Sequence, residues 1–132
     1  MKFVIDTSII IAVITNENHK KQLIDTTKGS ELLAPSSLHW EVGNAFSAMF
    51  KRKRLTIEEA KLALIEYKKI PIQFYDVTLE IALEYAYKYD IYAYDAYFLI
   101  CADKLKLPIL SLDNSLLLKA REAGLKVFEV KS

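Results

Sequence analysis

Short apolar runs alternate along the chain with longer segments in which apolar residues recur every three or four positions. The short runs predict strands at 3–5, 31–34, 70–75, 108–112 and 125–130. The longer segments predict helices at 8–15, 17–27, 37–53, 56–69, 78–89, 94–106 and 114–123. This alternation is typical of an α/β fold with a central parallel sheet of four or five strands and helices on both faces.

The helices at 37–53 and 56–69 are joined by a short basic turn, which predicts a helical hairpin inserted beyond the plain strand–helix repeat. Thr56 and Glu59 have the spacing of a capping box, which indicates where the second of these helices begins. Pro71 lies within the third apolar run, so we expect that strand at an edge of the sheet.

Several apolar side chains are expected in the core. On the helix at 78–89, the spacing predicts a core face made of Leu79, Ala82, Leu83 and Ala86. Cys101 lies in an apolar helical stretch and is predicted to be a small core residue. Trp40 is interpreted as a packing residue.

The 132 residues are 52% hydrophobic, which suits a single domain, 1–132, with a substantial core. The formal net charge of +1 gives no indication of a nucleic acid or membrane partner. One cysteine allows no internal disulfide, which fits a reducing compartment. The start of the chain does not resemble a signal peptide, and no apolar run reaches the ~20 residues of a membrane helix. We therefore expect a cytoplasmic protein without membrane association.

Four acidic residues fall at junctions between predicted strands and helices. Asp6 directly follows the first strand, and Glu41 lies one turn into the long helix. Asp95 is the only charged residue of an otherwise apolar and aromatic stretch, and Asp113 directly follows the fourth strand. In a parallel sheet these junctions meet at one edge, where α/β proteins bind ligands.

Each acid also has a local interpretation. Asp6 and Asp113 stand where N-caps of the following helices would lie, and Glu41 and Asp95 lie in first turns, where the helix dipole favours an acid. Asp95 points most clearly to function because it heads an apolar stripe, where an unpaired acid is costly to bury. Carboxylates that converge without basic partners repel one another, so four of them together imply a bound cation.

The donor types indicate which cation that would be. Oxygen ligands alone select Mg²⁺ or Mn²⁺, and the chain has no cysteine–histidine spacing for zinc. A hard cation held by carboxylates beside an open groove suits hydrolysis of phosphodiesters. Ser111 points to the same side as Asp113 if the strand alternation continues, so it could support Asp113 by a hydrogen bond.

Four short segments together resemble the signature of PIN-domain nucleases, and most of all that of the VapC toxins of VapBC toxin–antitoxin pairs. These segments are Val4-Ile5-Asp6-Thr7-Ser8, Glu41-Val42-Gly43-Asn44-Ala45, Tyr94-Asp95-Ala96-Tyr97 and Leu110-Ser111-Leu112-Asp113. Their order and spacing cover nearly the whole chain, and the length is that of a stand-alone toxin. Many members carry threonine where this chain has Ser111, and the hydroxyl is kept here.

The resemblance implies a PIN-like three-layer fold and an endoribonuclease that depends on Mg²⁺ or Mn²⁺. It implies metal-binding catalytic acids and supporting polar residues at fixed positions. The acids are Asp6, Glu41, Asp95 and Asp113, and the supporting residues are Asn44 and Ser8 or Ser111. It further implies an RNA substrate, a homodimer and a small VapB-like antitoxin that covers the site.

The residues alone leave other functions open. A receiver-type signalling domain also clusters acids around Mg²⁺, but it needs paired acids after the first strand, whereas Thr7 and Ser8 follow Asp6. A phosphatase of the haloacid dehalogenase type needs a second aspartate at the position of Ser8. A non-catalytic PIN-like binding module would keep the fold without hydrolysis.

Basic and aromatic clusters have both a structural and an RNA-binding interpretation. The basic run at 51–54 lies roughly 15–20 Å along the helix from Glu41, so cations at a helix C-terminus are favoured over phosphate contacts. Six of the eight tyrosines fall between Tyr85 and Tyr97. Most are expected to pack in the core or at a dimer surface, while Tyr92 or Tyr94 could stack on an unpaired base.

Overall fold

The computed structural model describes residues 1–15 and 20–130, and its secondary structure follows the predicted alternation. The strands are β1 (Lys2–Ile5), β2 (Glu31–Pro35), β3 (Ile72–Tyr75), β4 (Ile109–Leu110) and β5 (Val127–Phe128). The helices are α1 (Thr7–Ile14), α2 (Lys20–Thr27), α3 (Leu38–Lys51), α4 (Ile57–Lys69), α5 (Leu79–Tyr89), α6 (Ala93–Leu105) and α7 (Asn114–Glu122). Residues 17–19, predicted to begin the second helix, lie outside the described residues.

The five described strands form one parallel sheet in the order β3-β2-β1-β4-β5. β1 lies at the centre, where Val4 is opposite Leu33 on one side and Ile109 on the other. Because all strands run in one direction, their carboxyl ends share one edge of the sheet. The predicted α/β fold is confirmed, and so is the edge position of the proline-bounded strand, β3.

The core lies between the sheet and the helices that cover it. Phe3, Val4 and Ile5 of β1 are almost completely buried, as their apolar run predicts. α6 packs on β1 and β2 and contributes Leu99 and Cys101, neither of which has any exposed surface. The chain enters β4 soon after α6 ends, so α6 must begin at the carboxyl edge of the sheet. This places the first turn of α6 beside the ends of the central strands.

The helical hairpin forms as predicted and packs on α1 through both of its helices, α3 and α4. The capping box at the start of α4 is complete. The main-chain N–H of Glu59 donates to Thr56 Oγ1 at 3.2 Å, and the main-chain N–H of Thr56 donates to Glu59 Oε1 at 3.0 Å. Within the described ranges 1–15 and 20–130, no helix is both long and apolar enough to span a bilayer.

The predicted core face of α5 is wrong at Leu79 and Leu83, which are 56% and 57% exposed. α5 packs against α6 rather than against the sheet, with Ala82 fully buried and Ile81 and Tyr85 partly buried at that contact. The helix is therefore rotated relative to the predicted stripe. Periodicity indicates that a helix has an apolar face, but the neighbouring element decides which residues that face contains.

The packing interpretation of Trp40 is also wrong, because this side chain is 74% exposed. Trp40 lies two residues after Leu38 and two before Val42, which are both buried on the inner face of α3. Two residues correspond to roughly 200° around a helix, so Trp40 points away from the core. β4 and β5 are also shorter than predicted, at two residues each.

Candidate active site

The structure brings the four predicted acids to the carboxyl edge of the sheet. Asp6 follows β1, and Asp113 follows β4, the neighbouring strand. Glu41 and Asp95 lie in the first turns of α3 and α6. Asp113 raises the pKa of both Asp6 and Asp95, while Asp6 and Asp95 both raise the pKa of Glu41. The four carboxylates therefore act electrostatically as one cluster.

Asp6 is the most buried member of this cluster, with only 5% of its surface exposed. Ser8 Oγ donates to Asp6 Oδ1 at 2.6 Å, and Ser111 Oγ donates to Asp6 Oδ2 at 2.7 Å. Asp6 occupies the N-cap position of α1 but makes no capping hydrogen bond. Among the groups that affect the pKa of Asp6, the main chain of Ile9 has the smallest effect, which is to lower it. Its carboxylate is thus oriented by two serines and not by the helix that it precedes.

The same two serines join β1 to the segment after β4. Ser8 Oγ accepts from the main-chain N–H of Leu112 at 2.9 Å, and Ser111 Oγ accepts from the main-chain N–H of Asp113 at 2.9 Å. The two hydroxyls are 3.3 Å apart. Ser111 therefore holds the carboxylate of Asp6 and the backbone of Asp113, whereas the sequence interpretation had it supporting Asp113 itself.

Burial and repulsion from neighbouring acids raise the pKa values of Asp6, Glu41 and Asp95. Burial lifts the pKa of Asp6 from 3.8 to about 6, the Ser8 and Ser111 hydrogen bonds oppose this, and repulsion from Asp113 adds to it. Burial likewise lifts the pKa of Glu41 from 4.5 to about 7, against a hydrogen bond from Ser37. Among the residues that the structure describes, no lysine or arginine contributes to the pKa of either group.

Asp95 and Asp113 differ in their surroundings. Asp95 is partly buried and accepts no hydrogen bond from any residue of the described chain, and burial raises its pKa. Asp113 is exposed and caps α7, because its Oδ1 accepts from the main-chain N–H groups of Ser115 at 3.0 Å and Leu116 at 3.2 Å. The cap interpretation of Asp113 is therefore confirmed, and its second carboxylate oxygen is left for other ligands.

Among the supporting residues, Ser8 and Ser111 contact the cluster, whereas the Asn44 side chain is exposed and makes no hydrogen bond to any of the four acids. Ser37 was missed at this site. Its Oγ donates to Glu41 Oε2 at 3.1 Å, across one turn at the start of α3. The signal was present in the sequence, since a serine four residues before an acid faces it on a helix.

The donor set fits a hard divalent cation. Within the described ranges, no three acidic, histidine or cysteine side chains are already arranged as a ligand shell. The cluster nevertheless offers carboxylate and hydroxyl oxygens only, and no basic group compensates Asp6, Glu41 or Asp95. Oxygen donors of this kind suit Mg²⁺ or Mn²⁺, with waters completing the coordination. Asp6, Glu41, Asp95 and Asp113 would hold the ion.

A cavity of about 530 Å³ between α1, α2 and α4 is separate from this cluster. Its wall includes Gly29, Ser30 and Pro71, which precede β2 and β3 and so lie at the amino edge of the sheet. None of the four acids lines it. The chemistry of the acids therefore belongs to the opposite edge.

The family model of the PIN domain matches residues 3–122. The chain belongs to the PIN-domain family. The crystal structure of PAE2754 from Pyrobaculum aerophilum is similar, with a TM-score of 0.65 over 90% of this chain and 87% of that chain. At 22% sequence identity this likeness shows the fold alone. A comparison with curated proteins gives no significant match.

Membership of the PIN family confirms the resemblance to PIN domains drawn from the four sequence segments, while the closer likeness to VapC toxins stays a prediction. The PIN fold is of the nuclease type, and PIN domains generally are nucleases that use Mg²⁺ or Mn²⁺. In this PIN domain, the edge of the sheet that carries Asp6 is the candidate active site.

Proposed function

We propose that this PIN domain is an endoribonuclease that hydrolyses RNA phosphodiesters with Mg²⁺ or Mn²⁺. One observation carries the proposal. Asp6, Glu41, Asp95 and Asp113 come from four separate segments that meet at the carboxyl edge of the sheet. Neighbouring acids of this set raise the pKa values of Asp6, Glu41 and Asp95, and no basic group of the described chain offsets this. Such an arrangement destabilises the metal-free fold, and a divalent cation removes the repulsion.

Each residue has a distinct part in this proposal. Asp6 is a fixed ligand because Ser8 and Ser111 hold both of its oxygens. Glu41 and Asp95 approach from α3 and α6, and the cap hydrogen bonds on one oxygen of Asp113 fix its orientation. A divalent cation bound there would polarise the phosphate and lower the pKa of a bound water molecule.

The partners belong to the same proposal. The resemblance to VapC toxins supports a role as the toxin of a toxin–antitoxin pair, with a small VapB-like antitoxin that covers the site and a cytoplasmic location. Large exposed apolar side chains on α4 and on α5 support a homodimer, because association of two copies would remove such side chains from water. These side chains are Leu62, Ile65, Leu83 and Tyr87. A short reading frame upstream that encodes a DNA-binding protein would support the toxin assignment, and its absence would argue against it.

Cleavage of a mixed RNA pool by the purified protein tests the nuclease proposal. We expect cleavage in Mg²⁺ or Mn²⁺ and none in EDTA. Asp6→Asn and Asp95→Asn should each abolish cleavage, because each replaces a charged ligand by a neutral amide while keeping the side-chain shape. Asp25→Asn is the matched control, since Asp25 is an exposed acid on α2 and should be dispensable.

Equal cleavage in EDTA would refute the metal mechanism. Near wild-type activity of Asp6→Asn or Asp95→Asn would show that the altered residue has only a structural role. Complete inactivity of a folded protein that binds RNA would favour the non-catalytic PIN-like module instead.

A further inference from the structure

A cavity of about 470 Å³ opens beside the candidate active site, at the carboxyl ends of β2 and β3. We call it the aromatic pocket. Its wall includes Ser37, Trp40, Asp76, Leu79, Tyr94 and Tyr97. The volume lies within the range of about 300–1,000 Å³ that is usual for small-molecule sites.

The aromatic pocket adjoins the carboxylate cluster through Ser37 and the first turn of α6. Ser37 lines the pocket and also donates its hydroxyl hydrogen to Glu41 Oε2 at 3.1 Å. Tyr94 directly precedes Asp95, so the pocket wall and the acid share the first turn of α6. None of the four acids lines the pocket, but its wall includes residues from the same first turns of α3 and α6 that carry Glu41 and Asp95.

The pocket wall exposes aromatic surface. Trp40 is 74% and Tyr94 is 54% exposed, so both rings are free to stack on a ligand. Tyr97 meets the ring of Tyr94 edge-on, with centroids 5.8 Å apart and planes at 86°, and so supports it from one side. Aromatic rings that stand open beside a nuclease site resemble the stacking platforms on which single-stranded nucleic acid bases bind.

The charge of the pocket wall limits which chemical class of ligand can bind. Asp76 is the only charged group among the described residues that line the pocket. One of its oxygens accepts from Ser36 Oγ at 2.5 Å, which leaves the other to accept an N–H group. A phosphate inside the pocket would be repelled by Asp76. A flat, neutral group with N–H donors fits, and a nucleobase has both properties.

We propose that the aromatic pocket binds an unpaired base of single-stranded RNA, stacked on Trp40 and Tyr94, beside the phosphate that the carboxylate site hydrolyses. This inference rests on the proposed nuclease function and names its substrate class. Double-stranded RNA is excluded because its bases are stacked on one another and cannot enter. The apolar stripe of α5 that would pair two copies of the chain continues away from the pocket, to Leu83 and Tyr87.

Trp40 allows a direct test because it is the only tryptophan in the chain. The probe is a short single-stranded oligoadenylate RNA, added to the full chain. The titration uses Ca²⁺ in place of Mg²⁺ so that binding is observed without cleavage, because Ca²⁺ prefers more ligands and a looser geometry than Mg²⁺. We expect saturable quenching of the Trp40 fluorescence by the single strand. An RNA duplex of the same length should produce little quenching at the same concentrations.

The affinity of each variant for a labelled oligoadenylate, measured by fluorescence anisotropy, shows which residues bind the RNA. Tyr94→Ala and Trp40→Ala should each weaken binding by about five- to a hundredfold, the range expected for one lost base–aromatic stack. Trp40→Phe should retain most of the affinity, because an aromatic face remains. Leu118→Ala is the control, since Leu118 is 59% exposed on α7 and lies outside both the pocket and the proposed dimer surface.

Absence of quenching, or equal quenching by duplex RNA, would overturn the inference. A change of Trp40 emission on dilution of the protein alone, together with dissociation in light scattering, would show that a second copy fills the pocket and would also overturn it. The nuclease proposal is judged separately. Cleavage in Mg²⁺ without quenching of Trp40 would refute only the proposed base binding in the aromatic pocket. Quenching without cleavage would refute only the proposed nuclease activity.

Discussion

Replacing Asp6 by asparagine should make the metal-free protein more stable at pH 7.5, although it alters a buried polar group. In the folded protein, burial and then repulsion from Asp113 hold the pKa of Asp6 at about 6, compared with an ordinary 3.8. Ionised Asp6 is therefore less favourable in the native state than in the unfolded chain. At about 1.4 kcal/mol per pH unit, this difference lowers the free energy of unfolding at pH 7.5 by about 3 kcal/mol.

The sign follows from proton binding. Between pH 3.8 and about 6, the native state holds more protons at Asp6 than the unfolded state does. The contribution of Asp6 to stability is therefore complete below pH 3.8 and is lost as the pH rises through about 6. Asparagine does not titrate and avoids this loss.

Asparagine also fits the hydrogen-bond network. Its carbonyl can accept from one serine, and its amide can donate to the other, since the Ser8 and Ser111 hydroxyls are 3.3 Å apart and can exchange donor roles. Allowing about 1 kcal/mol for a weaker hydrogen bond, the net gain is about 2 kcal/mol. For a domain of this size, that gain raises Tm by roughly 5–10 °C.

Thermal melts of both proteins in EDTA at pH 7.5 and pH 4.5 measure this effect. The variant should melt higher at pH 7.5, and the advantage should vanish at pH 4.5. Saturating Mg²⁺ should stabilise the wild type by mass action and the variant much less, while Asp25→Asn should behave like the wild type throughout. If Asp6→Asn melts lower than the wild type at both pH values, the carboxylate is a structural group, and the reasoning from a shared like-charge site is wrong.

The affinity for Mg²⁺ should increase from pH 6 to pH 8, because the ion must displace a proton from Glu41, whose pKa burial holds at about 7; calorimetry that finds no pH dependence would contradict this. Ser111→Ala should lower the free energy of unfolding by about 1–3 kcal/mol, because Asp6 loses a donor and the Asp113 N–H loses its acceptor; an unchanged denaturation midpoint would refute that role. The wild type should be a dimer in light scattering and Leu83→Glu a monomer; a monomeric wild type at tens of micromolar would remove the proposed dimer.

Much of the fold is predictable from the sequence because its signals are local. The run Phe3-Val4-Ile5 is typical of a short buried strand, and the spacing of Thr56 and Glu59 marks the start of α4. The positions of the four acids at strand–helix junctions are equally local. Since strands of a parallel sheet all end at one edge, the convergence of these junctions follows from the topology alone.

Features that depend on contacts between distant segments are not predictable in this way. The sequence does not indicate that α5 packs on α6, so it predicts buried positions for Leu79 and Leu83, which the structure exposes. Ser111 donates to the carboxylate of Asp6, more than a hundred residues earlier, whereas from its near neighbour Asp113 it accepts only the main-chain N–H. Trp40 lies beside Glu41 on the exposed side of α3, a position that depends on which face of the helix meets the core.

The central claim is that acids from four separate segments bind one divalent cation. Electron paramagnetic resonance of Mn²⁺ titrated into the purified protein tests it most directly, because bound and free Mn²⁺ give different spectra whether or not RNA is present. We predict saturable Mn²⁺ binding to the wild type and to Asp25→Asn, with strong weakening in Asp6→Asn, Glu41→Gln and Asp95→Asn. Equal Mn²⁺ binding by all of these proteins, or none by the wild type, would contradict the account.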